Sequence, residues 1–225
     1  MLKDSQLNNQ LPKYNDLTIE PDFEIDKIFE FIENNITNFP GDYSNIRESN
    51  KESYITDLLI QFFERCKIKQ SNGFSVYGFR KAQARKESRR ESDISVVSLE
   101  SIMPIPIVEF EAKRLSDFSN NKEYVCGDTG GIERFKRGYY SHNHKKCGMF
   151  GYILSRDSDY WMKKINYWIE ELATTNYDPF IDWTNNEEKL KKTLSLSKVE
   201  KYSSNNTRKE TNDNILIWHY FIDLK

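Results

Sequence analysis

One short segment of this chain combines ionisable side chains with the pattern of a buried strand. In residues 108–113, Glu109, Glu111 and Lys113 alternate with apolar residues. Because successive strand residues point to opposite faces, the three charged side chains share one face. An unpaired buried ion costs several kcal/mol, so this face indicates salt bridges, a metal ion or both. Taken alone, it is equally typical of an edge strand whose charged face is exposed to water.

A second acidic residue is brought to this segment if the preceding residues form a hairpin. Residues 91–99 contain a short β-branched run, and residues 100–104 are typical of a turn. An antiparallel hairpin centred near Ile102 places Asp93 opposite Glu111. Opposed Cβ atoms in such a pair lie roughly 5 Å apart, a spacing at which two carboxylates repel unless a cation lies between them. Hard oxygen ligands of this kind favour Mg²⁺ or Mn²⁺ over zinc.

A third candidate carboxylate lies at the start of a predicted helix. Residues from Glu52 to about Cys66 place large apolar side chains on one helical stripe. Glu52 would lie in the first turn, where it either stabilises the helix dipole or contributes to the acidic site. Glu48 and Asp57 are the alternatives if the helix has a different register.

Basic residues flank the predicted site in sequence. One group, immediately before Asp93, consists of Arg85, Lys86, Arg89 and Arg90. A second group, Arg134 and Lys136, lies on a short helix predicted after the glycine-rich residues 127–131. Lys and Arg contacts to phosphates supply the sequence-independent part of nucleic-acid affinity, so both groups are candidate nucleic-acid contacts. The alternative for the first group is a solvated loop.

These residues together resemble a known family. Asp93, followed on the apolar strand by Glu111, Ala112 and Lys113, is similar to the Asp…(Asp/Glu)-x-Lys signature of the PD-(D/E)xK, or restriction-endonuclease-like, nuclease superfamily. The resemblance covers roughly residues 50–155, including an acidic residue on the helix before the first strand. Two positions depart from the pattern, since Ser92 stands in place of the motif's proline and Glu133 stands where some subfamilies have glutamine.

The resemblance implies a Mg²⁺-dependent (or Mn²⁺-dependent) nuclease, with DNA as the expected substrate and restriction or anti-phage defence as the expected setting. It implies that Asp93 and Glu111 hold the metal ion with the carbonyl of Ala112. Glu52 would complete the acidic site, and Lys113 would orient the attacking water. A homodimer or a defence-system partner fits this class. The alternative function is a noncatalytic nucleic-acid-binding or assembly module, in which salt bridges hold the charged strand.

Composition sets broader bounds. The chain has 225 residues and a formal net charge of −2, so any nucleic-acid-binding surface must be local. The mean hydropathy is −0.77 and no apolar run approaches the roughly 20 residues that span a bilayer. Residues 1–15 lack the apolar segment of a secretory signal, which favours the cytoplasm. The cysteines form no CxxC pair and are expected to be reduced thiols.

The order of predicted elements indicates the fold class. It reads helix, helix, three strands, helix, strand, helix and two strands, which predicts a three-layer α/β (α+β) domain with a mixed central sheet flanked by helices. The resemblance specifies this as a restriction-endonuclease-like core. Residues 1–20 are predicted to be a polar extension, and residues 21–225 a single domain. Its core spans about residues 50–155 and is preceded by a helix that starts near residue 21 and ends by residues 39–41. The core is followed by a helix and a β-hairpin, whose strands 198–203 and 215–222 are joined by the polar residues 205–214.

Overall fold

The structure is a computed structural model. It describes residues 21–69, 74–81, 92–102, 105–127, 130–139, 144–175, 181–184 and 188–225. The predicted polar extension, residues 1–20, lies outside these ranges.

The described residues form five α-helices and three short 3₁₀ helices. The α-helices are α1 Pro21–Asn35, α2 Phe39–Ile46, α3 Glu52–Lys69, α4 Gly131–Lys136 and α5 Ser158–Thr175. The 3₁₀ helices are Ile36–Asn38, Phe74–Val76 and Asn121–Tyr124. Helix α3 begins at Glu52, as its apolar spacing predicts, and its buried stripe includes Ile55, Leu59 and Phe63. Within the described residues, no helix has the length and apolar character needed to cross a membrane.

Seven strands form one mixed sheet. The strands are β1 Tyr77–Arg80, β2 Ile94–Ser98, β3 Pro106–Leu115, β4 Lys146–Ile153, β5 Lys191–Leu196, β6 Val199–Arg208 and β7 Asp213–Asp223. Their spatial order is β1-β2-β3-β4-β7-β6-β5. The central strands β3, β4 and β7 run parallel, and the outer pairs are antiparallel. The carboxyl ends of the three parallel strands therefore lie at one edge of the sheet.

Helices cover both faces of this sheet. On one face, helices α1 to α3 pack on strand residues that include Phe110, Phe150 and Tyr220. On the other face, α4 and α5 pack on strand residues that include Leu115 and Met149. Because two separate apolar clusters sandwich the sheet, the fold is a three-layer α/β domain with a mixed sheet, as the sequence predicts.

Four elements differ from the sequence prediction. Residues 39–41, predicted to end the first helical region, instead begin α2, in which Pro40 occupies the first turn. Proline is tolerated there because the backbone N–H groups of a first helical turn have no intrahelical partner. Strand β5 was not predicted, and the polar residues predicted to link the final two strands mostly belong to the strands themselves.

Candidate active site: three carboxylates around one lysine

The pairing of β2 with β3 brings Asp93 to Glu111. Ile94 pairs with Phe110, and the Asp93 N–H donates to the Phe110 carbonyl at 3.1 Å. Asp93 therefore lies one position beyond this pair, opposite Glu111, which confirms the predicted hairpin register. The Asp93 Oδ2 accepts a hydrogen bond from the Ala112 N–H at 2.7 Å. This bond fixes one oxygen of Asp93 against the strand that carries Glu111 and Lys113.

The alternation of β3 buries its charged face. Phe110 and Ala112 belong to the apolar cluster beneath α1 to α3, whereas Leu115 belongs to the cluster beneath α4 and α5. Glu111 and Lys113 alternate with the first pair, so they point to the α4 side. Glu111 is only 1% exposed and Lys113 only 7%. The face is thus a buried ionic site rather than the water-exposed edge that the sequence left open.

Helix α3 supplies the third carboxylate. The Glu52 Oε2 accepts a hydrogen bond from the Arg114 N–H at 2.8 Å, and Oε1 lies 3.8 Å from the Lys113 Nζ. Asp57, the alternative on the same helix, instead pairs with Lys81 at 2.6 Å. Glu48 lies before the helix and is exposed. Among the three acidic candidates, Glu52 is therefore the one that reaches the cluster.

A buried hydrogen bond supports the first turns of α3. Thr56 follows Glu52 by one helical turn, and its Oγ1 lies 3.1 Å from the hydroxyl oxygen of Tyr152 on β4. This contact fixes the start of α3 on the sheet and thereby positions Glu52. Sequence reasoning missed the pair because a tyrosine in an apolar strand is typical of the core. The only available signal was the four-residue spacing from Glu52 to Thr56.

The ammonium of Lys113 lies among the three carboxylates. Its Nζ donates to the Glu111 Oε1 at 2.7 Å and to the Ala112 carbonyl at 3.2 Å. The same atom lies 3.8 Å from the Glu52 Oε1 and 4.0 Å from the Asp93 Oδ2. One cation therefore holds three carboxylates that arrive from α3, β3 and the residue preceding β2. We refer to these four residues as the carboxylate cluster.

The environment shifts the proton affinities of the cluster. Burial, with a further contribution from the Asp93 carboxylate, raises the pKa of Glu111 to about 7. Burial likewise raises the pKa of Glu52. Burial alone would lower the pKa of Lys113, but the carboxylates of Glu111, Asp93 and Glu52 outweigh it and raise that pKa. Lys113 is consequently a cation at neutral pH.

Arg134 reaches the cluster from α4. Its Nη1 donates to the Glu111 Oε1 at 3.3 Å, the same oxygen that accepts from Lys113. Arg134 was predicted as a nucleic-acid contact, and the structure places its guanidinium on the Glu111 carboxylate. The other oxygen, Glu111 Oε2, is buried and has no hydrogen-bond partner among the described residues.

Lys136 is a correction to the sequence prediction. The prediction assigned Lys136 to nucleic-acid contact, but its ammonium is buried and forms an ion pair with Glu188. The same ammonium lies 4.8 Å from the ring centroid of Trp183. Desolvation lowers the pKa of Lys136. The residue cannot meet a phosphate from this position, and it instead anchors α4 to the segment that precedes β5.

The other predicted nucleic-acid contacts, Arg85, Lys86, Arg89 and Arg90, lie outside the described residues.

The donor atoms of the cluster can be compared with those that Mg²⁺ requires. Within the described ranges, no three His, Cys, Asp or Glu side chains form a recognised metal-binding group. The Lys113 ammonium lies between the carboxylates. The cluster nevertheless supplies carboxylate oxygens, and the adjoining Ala112 supplies a carbonyl oxygen, which are the ligands that Mg²⁺ and Mn²⁺ prefer. The buried and unpaired Glu111 Oε2 is an available ligand of this kind, so the donor set fits a hard divalent cation.

No protein-family model, curated protein or solved structure matches this chain.

Proposed function

We propose that this chain is a Mg²⁺-dependent (or Mn²⁺-dependent) nuclease of the PD-(D/E)xK type that hydrolyses phosphodiester bonds in DNA. The observation that carries the proposal is the convergence of Glu52, Asp93 and Glu111 on Lys113, with one Glu111 oxygen buried and unpaired. A structural ion pair needs one carboxylate for one ammonium. Three carboxylates beside the two cations Lys113 and Arg134 leave excess negative charge that a divalent cation would neutralise.

Each residue of the cluster has a role in this proposal. Asp93 and Glu111 hold the metal ion with the carbonyl of Ala112, and Glu52 completes the acidic site. A bound Mg²⁺ supplies Lewis-acid polarisation of the scissile phosphate and a water of lowered pKa. Lys113, kept protonated by its neighbours, orients the attacking water and stabilises the negative charge that develops on the phosphate.

The proposed substrate and setting follow from the same reasoning. Arg134 lies beside the cluster, where it can shift from Glu111 to a phosphate oxygen. The basic residues 85–90 precede Asp93 directly in the chain. Arg134 and the basic residues 85–90 both support a polyanionic substrate. We further propose that the protein acts in the cytoplasm, in restriction or anti-phage defence. A homodimer or a defence-system partner belongs to the same proposal.

One observation favours a second candidate function, a noncatalytic nucleic-acid-binding or assembly module. Lys113 and Arg134 both donate to Glu111, and backbone N–H groups donate to Asp93 and Glu52. The cluster thus satisfies many of its charges without a metal ion. Such an arrangement can hold β3 to α3 and α4 without catalysing any reaction.

Cleavage assays test the two functions against each other. Purified protein is incubated with plasmid, linear DNA and RNA, with Mg²⁺, with Mn²⁺ and with a chelator. We expect metal-dependent cleavage of DNA that falls about a hundredfold or more in Asp93→Asn and in Glu111→Gln, because each variant loses a metal-ligand charge. Asp57→Asn is the matched control, since it removes an exposed carboxylate from the helix that carries Glu52.

Calorimetry of Mn²⁺ binding in the presence of DNA gives a second readout. Binding by the wild type and by Asp57→Asn, but not by Asp93→Asn, supports the nuclease. The noncatalytic module is favoured if the wild type cleaves none of the substrates and binds no divalent ion with DNA present.

A further inference from the structure

The outer face of α5 presents aromatic and basic side chains together. Tyr160 and Tyr167 are 41% and 58% exposed, and they lie two helical turns apart on one face. Lys163 and Lys164 lie between them and are exposed. Neither lysine forms an ion pair with another residue in the described part of the chain. The helix thus carries two exposed cations between two aromatic rings.

A loop at the start of α5 extends this surface. Phe118, in the loop after β3, is 98% exposed. The loop is well anchored, since the Ser116 N–H donates to the Asn121 Oδ1 at 3.0 Å and the Asp117 N–H donates to the Ser155 Oγ at 2.8 Å. The phenyl ring is therefore exposed to water on a fixed loop. This exposure of apolar surface is unfavourable, and no contact with another described residue compensates for it.

An ion pair joins the loop to the helix. The Nε of Arg156 donates to the Asp117 Oδ1 at 3.0 Å, and the guanidinium lies 5.5 Å from the ring centroid of Tyr160. At the other end, the Lys164 ammonium lies 5.5 Å from the ring centroid of Tyr167. The surface, which we call the basic-aromatic strip, comprises Phe118, Arg156, Tyr160, Lys163, Lys164 and Tyr167.

Phe118 and the first turn of α5 lie on the same face and at the same edge of the sheet as the carboxylate cluster. Leu115 shares an apolar cluster with the buried side of α5, and Lys113 points to that same face of β3. Phe118 follows Lys113 by five residues, so their Cα atoms lie within roughly 18 Å of each other, a span of a few nucleotides. A DNA strand that is bound at the carboxylate cluster can therefore continue onto the basic-aromatic strip.

We propose that the basic-aromatic strip binds single-stranded DNA, with unpaired bases stacked on Phe118, Tyr160 and Tyr167 and with phosphates on the lysines. This inference rests on the proposed nuclease function and narrows its substrate to DNA with an unpaired stretch beside the scissile bond. Bases in a duplex are already stacked on each other and cannot use the rings. Lysines at the centre of the strip disfavour a protein partner, since protein interfaces are depleted in lysine.

Binding of labelled oligonucleotides in a chelating buffer tests the strip without cleavage. Anisotropy is measured with oligo-dT, with an abasic strand of equal length and with a duplex. We expect the wild type to bind oligo-dT most tightly and Phe118→Ala, Tyr160→Ala and Tyr167→Ala each to bind it about fivefold to a hundredfold more weakly. Each variant should show a smaller preference than the wild type for oligo-dT over the abasic strand, which keeps the phosphates but lacks bases to stack.

Phe23→Ala is the matched control. Phe23 is 54% exposed, has the Lys27 ammonium 4.2 Å from its ring centroid and lies on α1, across the sheet from α5. The affinity of Phe23→Ala for oligo-dT should equal that of the wild type. Replacing Lys163 and Lys164 with Gln should flatten the salt dependence of binding by about 0.7 log unit for each phosphate that the variant no longer neutralises.

The outcomes separate the strip from the nuclease. Equal binding of oligo-dT by the wild type and the ring variants would overturn the proposal that the strip binds single-stranded DNA. Equal binding of oligo-dT and the abasic strand by the wild type would overturn it as well. Tighter binding of duplex than of oligo-dT by the wild type also overturns it. Cleavage of DNA on addition of Mg²⁺ is scored separately, so the nuclease can stand when the strip fails. Base-dependent binding without any cleavage would support single-stranded DNA binding by the strip and would contradict the proposed nuclease function.

Discussion

The two oxygens of the Glu111 carboxylate have unequal surroundings. Oε1 accepts from both Lys113 and Arg134, whereas Oε2 is buried and has no hydrogen-bond partner among the described residues. A buried carboxylate with one bare oxygen is costly unless nearby cations compensate it. Lys113 is the closest such cation, so the folded state depends on it.

We predict that Lys113→Met lowers the free energy of unfolding by about 3 kcal/mol at neutral pH. The substitution keeps much of the side-chain volume but leaves Glu52, Asp93 and Glu111 without the ammonium that lies among them. Urea denaturation gives the change directly. In the double variant with Glu111→Gln, part of the loss should be recovered, because the most buried charge is then removed.

Lys81→Met is the control for this prediction. Lys81 also pairs with a carboxylate, that of Asp57, but both side chains are about half exposed. Its loss should change stability by less than about 1 kcal/mol, as for other surface pairs. Equal stabilities for Lys113→Met and Lys81→Met would show that the fold does not depend on the ammonium within the cluster.

Among single residues, those set by strand alternation were predictable and those set by helix orientation were not. The side-chain period of two determines which face of β3 holds Glu111 and Lys113, and the hairpin register places Asp93 opposite Glu111. Arg134 and Lys136 are both on the short helix α4, yet one reaches the cluster and the other is buried against Glu188. The sequence of six helical residues does not reveal where Glu188, distant in the chain, will lie.

At the scale of elements, β3 and β4 pack closely at a glycine. Gly148 pairs with Phe110 in the parallel ladder, and a Cβ at this glycine would lie 2.3 Å from ring atoms of Phe110. The ring cannot easily move, since it contacts Phe29 at a centroid distance of 5.6 Å and Phe150 at 5.1 Å. The close approach of these strands therefore depends on the absence of a side chain at Gly148.

We predict that Gly148→Ala destabilises the protein by about 1–3 kcal/mol, the usual cost of overpacking a filled core. Gly41→Ala is the matched control, because Gly41 lies within α2 and a Cβ added there would have nothing within 4 Å. Alanine there should stabilise the helix by about 0.5–1 kcal/mol. Thermal denaturation of both variants checks the signs, and a stable Gly148→Ala would mean that Phe110 has room to move.

The elements missed by the sequence prediction are those whose local pattern carries little information. Strand β5 is exposed along most of its length, so it lacks the alternation that identifies a half-buried strand. Residues 205–208 belong to the polar segment 205–214 that was predicted to be a loop, but they form part of β6 because each pairs with a residue of β7. Pairing with the adjacent strand of the sheet determines both β5 and the full length of β6. The local pattern of a single sequence does not reveal this pairing.

At the scale of the whole molecule, a buried hydrogen-bonded chain links distant segments. The Nδ1 of His219 on β7 lies 2.9 Å from the hydroxyl oxygen of Tyr124, and its Nε2 lies 2.9 Å from the Ser204 Oγ on β6. Burial lowers the pKa of His219 from 6.5 to about 3. The unfolded chain binds a proton at this histidine below about pH 6.5, whereas the folded chain does not, so acid favours unfolding.

We predict that His219 makes the whole fold sensitive to acid. Its contribution to stability is complete above about pH 6.5 and declines by about 1.4 kcal/mol per pH unit as the pH falls toward about 3. Urea denaturation of the wild type and of His219→Gln at about pH 7, 6, 5 and 4 isolates this slope, since other groups contribute to both. Parallel stability curves for the two proteins would contradict the prediction.

The strand order also governs when the sheet can close during synthesis. Strand β7 follows the other six strands in sequence but lies between β4 and β6, so it joins the two parts of the sheet. Until residues 213–223 have left the ribosome, β4 and β6 each present an unpaired edge. Such edges are templates for wrong pairing between chains. A nascent chain stalled before residue 213 should therefore depend on chaperones, and closure of the sheet should be a late, non-local and slow event.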